Sequence, residues 1–461
     1  MSENQFNPGA ADIEEAIMKS SDGSSEQNIT AQIVSFSLSQ SMDSASYTGT
    51  LTLLDGINLL EGFPIRAEES IDLRIKGHDL NTEINLKVQV YKIDEITVSE
   101  SSGSVLFTIN FVSAISYKAS TRRVVVGLQR KSMDQVARYV FNKYYSPLNS
   151  DRIALDANNR TFAYAAYRKV ITAEPERNFI LQSTANMTDM VIPNYIPEEA
   201  MHYLCGVAFN PETPSSSWKF FETLDNYYFA TDEFFIKTAN RKDLINLFYS
   251  PAASYDPRFK EHQVNRIEEL TVMNKGLDTI GDLYSGAYRN KTLEIDLVRR
   301  KTITTSWSYD DDANYIDMSG DPVDKTIDTH TSAFRDKTFT DENARDFIVF
   351  KDYQSNGDIP SSLHTNRYLP QIVGNKVSYG HHLTKTVLSA KMKGRLDIRP
   401  GMIVNLDVQQ LNGIAGTPSL NTTMSGKYLV NTVNHNRDDS GTLHCGLKLY
   451  KFGWSKGDTN V

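Results

Sequence analysis

The sequence runs to 461 residues, 40% of them hydrophobic and 23% charged, a globular composition at a length that suits roughly two to four domains. Its 57 Asp and Glu against 48 Lys and Arg leave a formal net charge of −9. That balance argues against a protein whose main partner is nucleic acid, because phosphates must be met by a surplus of cations.

Cys205 and Cys445 lie far apart and form no CxxC pair, so neither a disulfide framework nor a zinc site is indicated, and each reads as a small buried apolar residue. Residues 1–28 lack the basic segment and apolar run of a signal peptide. No apolar stretch reaches the ~18 residues of a membrane span, so folding in a reducing cytoplasm is expected.

In chain order, residues 1–27 carry Gly9, Gly23 and several serines and read as a flexible N-terminal arm. Alternation of period two follows at Ile33, Phe36 and Leu38, at Tyr47, Gly49, Leu51 and Leu53, and at Ile71, Leu73 and Ile75. Leu86, Val88, Val90 and Ile93 then lead through a turn at Ser101–Ser104 into Val105, Phe107, Ile109 and Phe111. Short alternating strands at this spacing predict a small antiparallel barrel over 28–118.

The period becomes helical at Met133, Val136, Ala137, Val140, Phe141 and Tyr144, with Ser132 and Gln135 placed as a capping box and Pro147 just beyond. Further helices are expected at Pro197–Leu204 and near Leu277–Ser285, the latter stopped by Gly286. Residues 119–304 therefore read as a mixed α/β middle domain, with 218–240 an alternative addition to the second barrel. Residues 305–366 are polar and rich in Asp, Ser and Thr and read as a long surface excursion.

Strands are expected again from Val377 and Tyr379, through Val387 and Leu388, to Met402, Val404 and Leu406. A hairpin from Tyr428, Val430 and Val433 turns at Asp438–Gly441 into Leu443, Leu447 and Leu449. This second barrel covers 367–452, with a tail at 453–461. The fold class expected is α+β, predominantly β: two small similar antiparallel β-barrel domains flanking a mixed α/β middle domain. The two β-units echo one another in order, each placing a strand, a charged loop, a second strand and a hairpin in sequence. Three chains carrying two such barrels each would present six near-equivalent units in a ring.

Three stretches resemble the baseplate hub proteins of contractile-tail bacteriophages, which are related to the N-terminal hub part of type VI secretion spike proteins. The first is Tyr47–Gly56 with Phe63–Glu69; the second is Trp218–Thr223, Tyr228, Phe229, Gly286–Tyr288 and Leu293–Leu297. The third is Arg399–Gly401, Gly426–Val430, His435 and Thr442–Tyr450. The resemblance implies a homotrimeric cylinder in the virion, assembled in the host cytoplasm and without enzymatic activity or cofactor. Its implied partners are a central spike protein, a tail tube protein or tube initiator, and baseplate wedge proteins. Ring and axial contacts are expected at the strand edges and at the loops of Asp55, Gly56, Glu68, Glu69, Arg399, Pro400 and Gly401. Nothing in the 305–366 excursion matches the family.

Chemical motifs are weak by comparison. Asp310–Asp312 lacks the alternating acids and closing Glu of a calcium loop, and a solvated loop is the favoured reading. His381 with His382, and His444 with Cys445, point to opposite faces if they lie on strands, which leaves no shared metal. Arg122–Arg123 and Arg299–Lys301 read as solvated or ion-paired cations, and the aromatic run Trp218–Phe229 as core. No GxSxG, P-loop or HExxH motif occurs. The rival readings are a tail-associated glycan hydrolase, which needs only two unpatterned carboxylates, and a receptor-binding adhesin.

Overall fold

The computed structural model describes residues 9–63, 65–77, 82–98, 105–145, 167–171, 178–239, 244–250, 264–275, 278–297, 299–323, 345–350, 363–409, 420–421 and 423–452. The first unit holds β1 (Ala11–Lys19), β2 (Glu26–Asn28), β3 (Ile33–Ser41), β4 (Thr48–Asp55), β5 (Ser70–Gly77), β6 (Thr82–Val98) and β7 (Val105–Ser113). Their antiparallel order is β3-β4-β7-β6-β5-β1, with β2 on the far side of β1. The inward residues anticipated by the alternation, among them Leu38, Leu51, Ile71, Val88, Phe107 and Phe111, fill one apolar core. The ladder bends back on itself, since Ile29, just before β3, donates its N–H to the Ala16 carbonyl of β1 at 2.9 Å. The turn expected at Ser101–Ser104 lies outside the described residues.

The middle of the chain adds β8 (Val124–Ser132), β9 (Tyr167–Ile171), β10 (Asn178–Gln182), β11 (Met187–Tyr195), β12 (Trp218–Glu222) and β13 (Asn226–Thr231). β8 pairs with β11, and β12-β13-β10-β9 form a separate sheet in which β10 and β13 run parallel. The helices expected here are present as Met133–Val140, Pro197–Val207 and Thr279–Ser285. Gln135 accepts the Ser132 N–H at 3.4 Å, and Gly286 takes φ +79° at the last helix's end. Phe141 stacks on Phe179 at 4.1 Å between ring centres, anchoring an aromatic core that includes Phe220 and Tyr227.

The second unit comprises β14 (Ile245–Tyr249) and β15 (Ile267–Lys275), then, beyond a three-stranded sheet of β16 (Arg289–Asp296), β17 (Lys301–Ser308) and β18 (Arg345–Phe350), the strands β19 (Thr386–Lys393), β20 (Ile403–Val408), β21 (Gly426–Arg437) and β22 (Leu443–Lys451). Its order is β15-β19-β22-β21-β20-β14, antiparallel except for β14 beside β20. Here too the ends meet: Phe248 of β14 donates to the Asn265 carbonyl at 3.2 Å.

The two ladders have the same strand order, although β14 runs parallel to β20 where β1 runs antiparallel to β5, and β2 has no counterpart in the second. They also share irregularities, with register shifts between Val90 and Lys92 and between Val430 and Thr432. A second shared pair falls between Ile33 and Ser35 and between Ile267 and Glu269. Val90 donates to the Glu69 carbonyl at 2.8 Å as Val430 does to that of Met402 at 2.9 Å.

Several expectations need correction. Residues 11–19, read as part of a mobile arm, form β1 against β5, with Ala11, Ala16 and Met18 buried. A register shift between Ile13 and Glu15 breaks the alternation, which hides the strand in sequence. Val377 and Tyr379 start no strand: Leu369–Leu383 is a helix, with Pro370 in its first turn and Ile372, Tyr379 and Leu383 on its buried side. β14 and β15, from the expected middle domain, belong to the second ladder, whereas β12 pairs with β13 and β13 with β10, and neither adds a strand to that barrel. The expected surface excursion begins instead with a buried stretch, where Tyr309 and Tyr315 surround His382 together with Tyr288 and Phe452.

Candidate assembly interface

The two barrels meet edge to edge. β21 of the second lies antiparallel to β3 of the first, from Thr432 opposite Ser41 to Arg437 opposite Phe36, so thirteen strands form one continuous sheet. The Ser41 and Thr432 hydroxyls hydrogen bond at 3.1 Å across the seam. Opposite Leu38, the fully buried His435 donates Nε2–H to the Arg395 carbonyl at 3.0 Å. Burial, aided by the Arg399 charge, pushes its pKa down to about 3, which keeps the imidazole neutral.

The middle domain clamps this seam. Lys219 Nζ lies 3.1 Å from Asp43 Oδ1, in the loop after β3, and 3.4 Å from Asp232 Oδ1 at the start of the helix Asp232–Thr238. Asn431 of β21 donates to Asp43 Oδ2 at 2.9 Å, so one cluster ties both barrels to the middle domain. Burial opposes ionisation of Asp43, but Lys219 and Asn431 outweigh it and lower its pKa. Burial dominates at Asp232 and raises its pKa, because one ammonium serves two carboxylates.

Two further contacts extend the clamp. Gln40 accepts the Leu224 N–H at 3.1 Å, and the buried Glu222 carboxylate accepts from Ser113 at 2.6 Å, Ser116 at 3.0 Å and Tyr227 at 2.6 Å. None of these buried polar groups was marked by the sequence reading. The local signal is a polar residue on the strand face otherwise filled by apolar side chains, as Gln40 follows Phe36 and Leu38 on the buried face of β3.

The seven residues expected at contacts divide by burial. Asp55 is buried and accepts the N–H groups of Ile57, Leu59 and Leu60 at 3.2, 2.7 and 3.1 Å, which caps the turn after β4. Glu69 is buried likewise, holding the Arg66 and Glu68 N–H groups at 2.7 and 3.1 Å. Arg399 Nε meets Asp225 Oδ2 at 2.7 Å, joining the second unit to the middle domain. Pro400 is buried, and Gly401 turns at φ +87° against the Phe235 ring. Only Gly56 and Glu68 are exposed among the seven.

The other constellations stay apart. Asp312 accepts the Ser308 N–H at 2.8 Å at the one-turn helix Tyr309–Asp312. On the helix Leu369–Leu383, His381 reaches Asp282 at 3.2 Å while the buried His382 donates Nδ1–H to the Ser378 carbonyl, 2.7 Å away. Cys205 and Cys445 are buried, and burial raises both thiols to about 12. Among the described residues no group of three or more His, Cys, Asp or Glu is arranged to hold a metal ion, and no helix is long and apolar enough to cross a membrane.

No protein-family model matches the sequence, and no curated protein sequence does either. Solved structures do match. A tail protein from Neisseria meningitidis MC58 superposes with a TM-score of 0.52 at 9% identity, over 96% of each chain. The 43 kDa tail protein of prophage MuSo2 from Shewanella oneidensis gives 0.48 at 9% identity, over 95% of this chain and 98% of that one. The E. coli type VI secretion component c3393 gives 0.38 at 8% identity, over 92% and 74%. The chain thus shares its fold with the Neisseria tail protein, and at such identity the likeness is one of fold alone.

Proposed function

We propose that this chain is the hub of a contractile-tail baseplate, working as a homotrimeric ring that adapts a threefold spike to a sixfold tail tube. The observation that carries the reading is the presence, in one chain, of two barrels with the same strand order fused edge to edge. A ring of three such chains offers six barrels to a sixfold partner while the middle domains stay threefold. The fold shared with a Neisseria tail protein is consistent with that setting. In this reading the domains are the two barrels, 28–118 and 367–452, each completed by strands from outside those limits, with the middle region between them.

Its role is mechanical. The seam and the Asp43, Lys219, Asp232 and Asn431 cluster carry load between barrels and middle domain when the sheath contracts. The partners are the central spike protein, the tail tube protein or its initiator, and baseplate wedge proteins. No catalytic step is assigned, and the buried carboxylates of Asp55, Glu69 and Glu222 serve internal hydrogen bonds. Mass photometry of the purified chain, alone and with its spike, tests the reading. A mass of three chains and a hollow six-lobed ring in electron micrographs are expected. A monomer under both conditions, or clearing of peptidoglycan in a zymogram, overturns it.

A further inference from the structure

The matching topology of the two barrels assigns roles to sheet edges that the single chain leaves unpaired. Within the chain, the first strand of barrel one, β3, pairs with the fourth strand of barrel two, β21. The corresponding fourth strand of barrel one is β6, and the first strand of barrel two is β15. β15 ends the thirteen-stranded sheet, with β19 as its one ladder partner among the described residues. β6 pairs with β5 only as far as Gln89, and from Tyr91 to Val98 its outer edge has no strand beside it among the described residues.

We propose that this second pair of edges, β6 of one protomer and β15 of another copy of the chain, forms the joint between subunits, repeating the β3–β21 seam. The proposal rests on the ring reading above and names the surface that closes it.

Burial at equivalent positions supports it. The shared register shifts align Val433 with Ile93 on the fourth strands and Phe36 with Leu270 and Leu38 with Val272 on the first, and a further shift in β6 between Asp94 and Thr97 sets Glu95 and Ile96 together at the position of His435. At the occupied seam, Phe36, Leu38, Val433 and His435 are at most 2% exposed. At the free edges Ile96 is 57% and Val272 38% exposed, and Ile93 and Leu270 are only half-buried. Tyr91, Val98 and Met273 add further exposed apolar surface on the same two strands. An unpaired edge with exposed apolar side chains is a template for strand pairing, and the charges of β15, Glu268 and Glu269, are drawn toward Lys393 and Lys391 of its own barrel.

Direction agrees as well. In the chain, a first strand of one barrel meets a fourth strand of the other; the proposed joint repeats that polarity from the second barrel to the next first barrel. Such head-to-tail contacts close into a ring when the rotation permits, and the same joint then recurs at every barrel boundary. By the seam's register, where Asn436 lies opposite Ser37, Thr97 of β6 falls opposite Thr271 of the neighbour's β15.

The test is disulfide trapping in the full chain. Thr97 and Thr271 are both exposed, so the T97C/T271C double variant and each single variant are compatible with the fold, and the native thiols of Cys205 and Cys445 are buried. Under mild oxidation the double variant is expected to lose its monomer band to a covalent series ending at three chains, while each single variant stays monomeric on denaturing gels. A second variant, V272K, is expected to lose the oligomer in mass photometry with no change in thermal midpoint. A ring that persists in V272K and gives no cross-link in T97C/T271C overturns the edge assignment and leaves the ring reading standing. An unmodified chain that is monomeric at every concentration overturns both.

Discussion

Asn431, on the fourth strand of the second barrel, donates its side-chain amide to Asp43, in the loop that leaves the first strand of the first barrel, at 2.9 Å. The contact spans 388 residues of sequence and completes a cluster in which Lys219 from the middle domain pairs with both carboxylates. Removing one member of a buried ion pair costs far more than the pair contributes, since the remaining charge keeps its desolvation penalty. Lys219→Met is therefore expected to destabilise the chain by about 3 kcal/mol at pH 8. Because Asp232 already has a raised pKa and can take up a proton, the loss shrinks at pH 5. Urea denaturation at both pH values checks this; equal losses would contradict the assignment of Asp232 as the stranded charge.

Glu233, next to Asp232, is fully buried, and one carboxylate oxygen, Oε1, has no hydrogen-bond partner. Burial raises its pKa from 4.5 to about 7, against a hydrogen bond from the Ser215 N–H at 3.2 Å. The folded pKa lies above the unfolded one, so the ionised group costs stability above pH 7, and the cost is relieved as pH falls from 7 toward 4.5. The shift corresponds to roughly 3 kcal/mol. Glu233→Gln is expected to be more stable than the parent at pH 8 and close to it at pH 5, read as a change in thermal midpoint.

Much of this architecture was legible because strands and helices with one buried face repeat their apolar residues at fixed periods. Leu51, Phe107, Val430 and Leu447 were placed correctly for that reason, as were the helices begun by Ser132 and by Pro197. What failed had a physical cause in each case. β1 carries a bulge, and Leu369–Leu383 mixes Val373 and Val377 with Gly374 and Gly380, residues that weaken a helical signature. Gly374 is there because its α-carbon lies flat against the Trp307 indole, where an added Cβ would come within 2.6 Å of the ring. The clamp was invisible because Asp43, Lys219 and Asn431 are brought together only by tertiary structure. Asp55, Glu69 and Arg399 stood out in sequence as charged loop residues, yet their charges turn inward to hold those loops.

Gly401 shows what such a loop demands. It adopts φ +87°, donates its N–H to the Val430 carbonyl at 2.8 Å, and would place a Cβ 3.0 Å from the Phe235 ring. An alanine there meets both the left-handed backbone penalty and the aromatic wall. Gly401→Ala is expected to lower stability by roughly 2 kcal/mol. Gly56→Ala, with nothing within 4 Å of the added carbon and no positive φ, serves as the control and is expected to be near neutral. Paired denaturant midpoints decide the matter, and equal effects in the two variants would remove the conformational argument.

His435 gives the seam a pH response of the opposite sign to that of Glu233. Its folded pKa, about 3, lies below the ordinary 6.5, so the stability it contributes is complete above pH 6.5 and is lost as pH falls toward 3. At pH 5 that loss amounts to about 2 kcal/mol, while protonation of Glu233 returns a similar amount over the same interval. The parent chain is thus expected to show a nearly flat stability profile between pH 5 and 8 from these two groups together. His435→Gln, which keeps a donor toward the Arg395 carbonyl, removes one arm of the balance and should make the chain relatively more stable at pH 5 than at pH 8. Glu233→Gln should tilt the profile the other way, and the double variant should be flat again. Thermal midpoints of the four proteins across that range test the scheme; a His435→Gln profile parallel to the parent's would mean that the imidazole titrates freely and is not sealed between the two barrels.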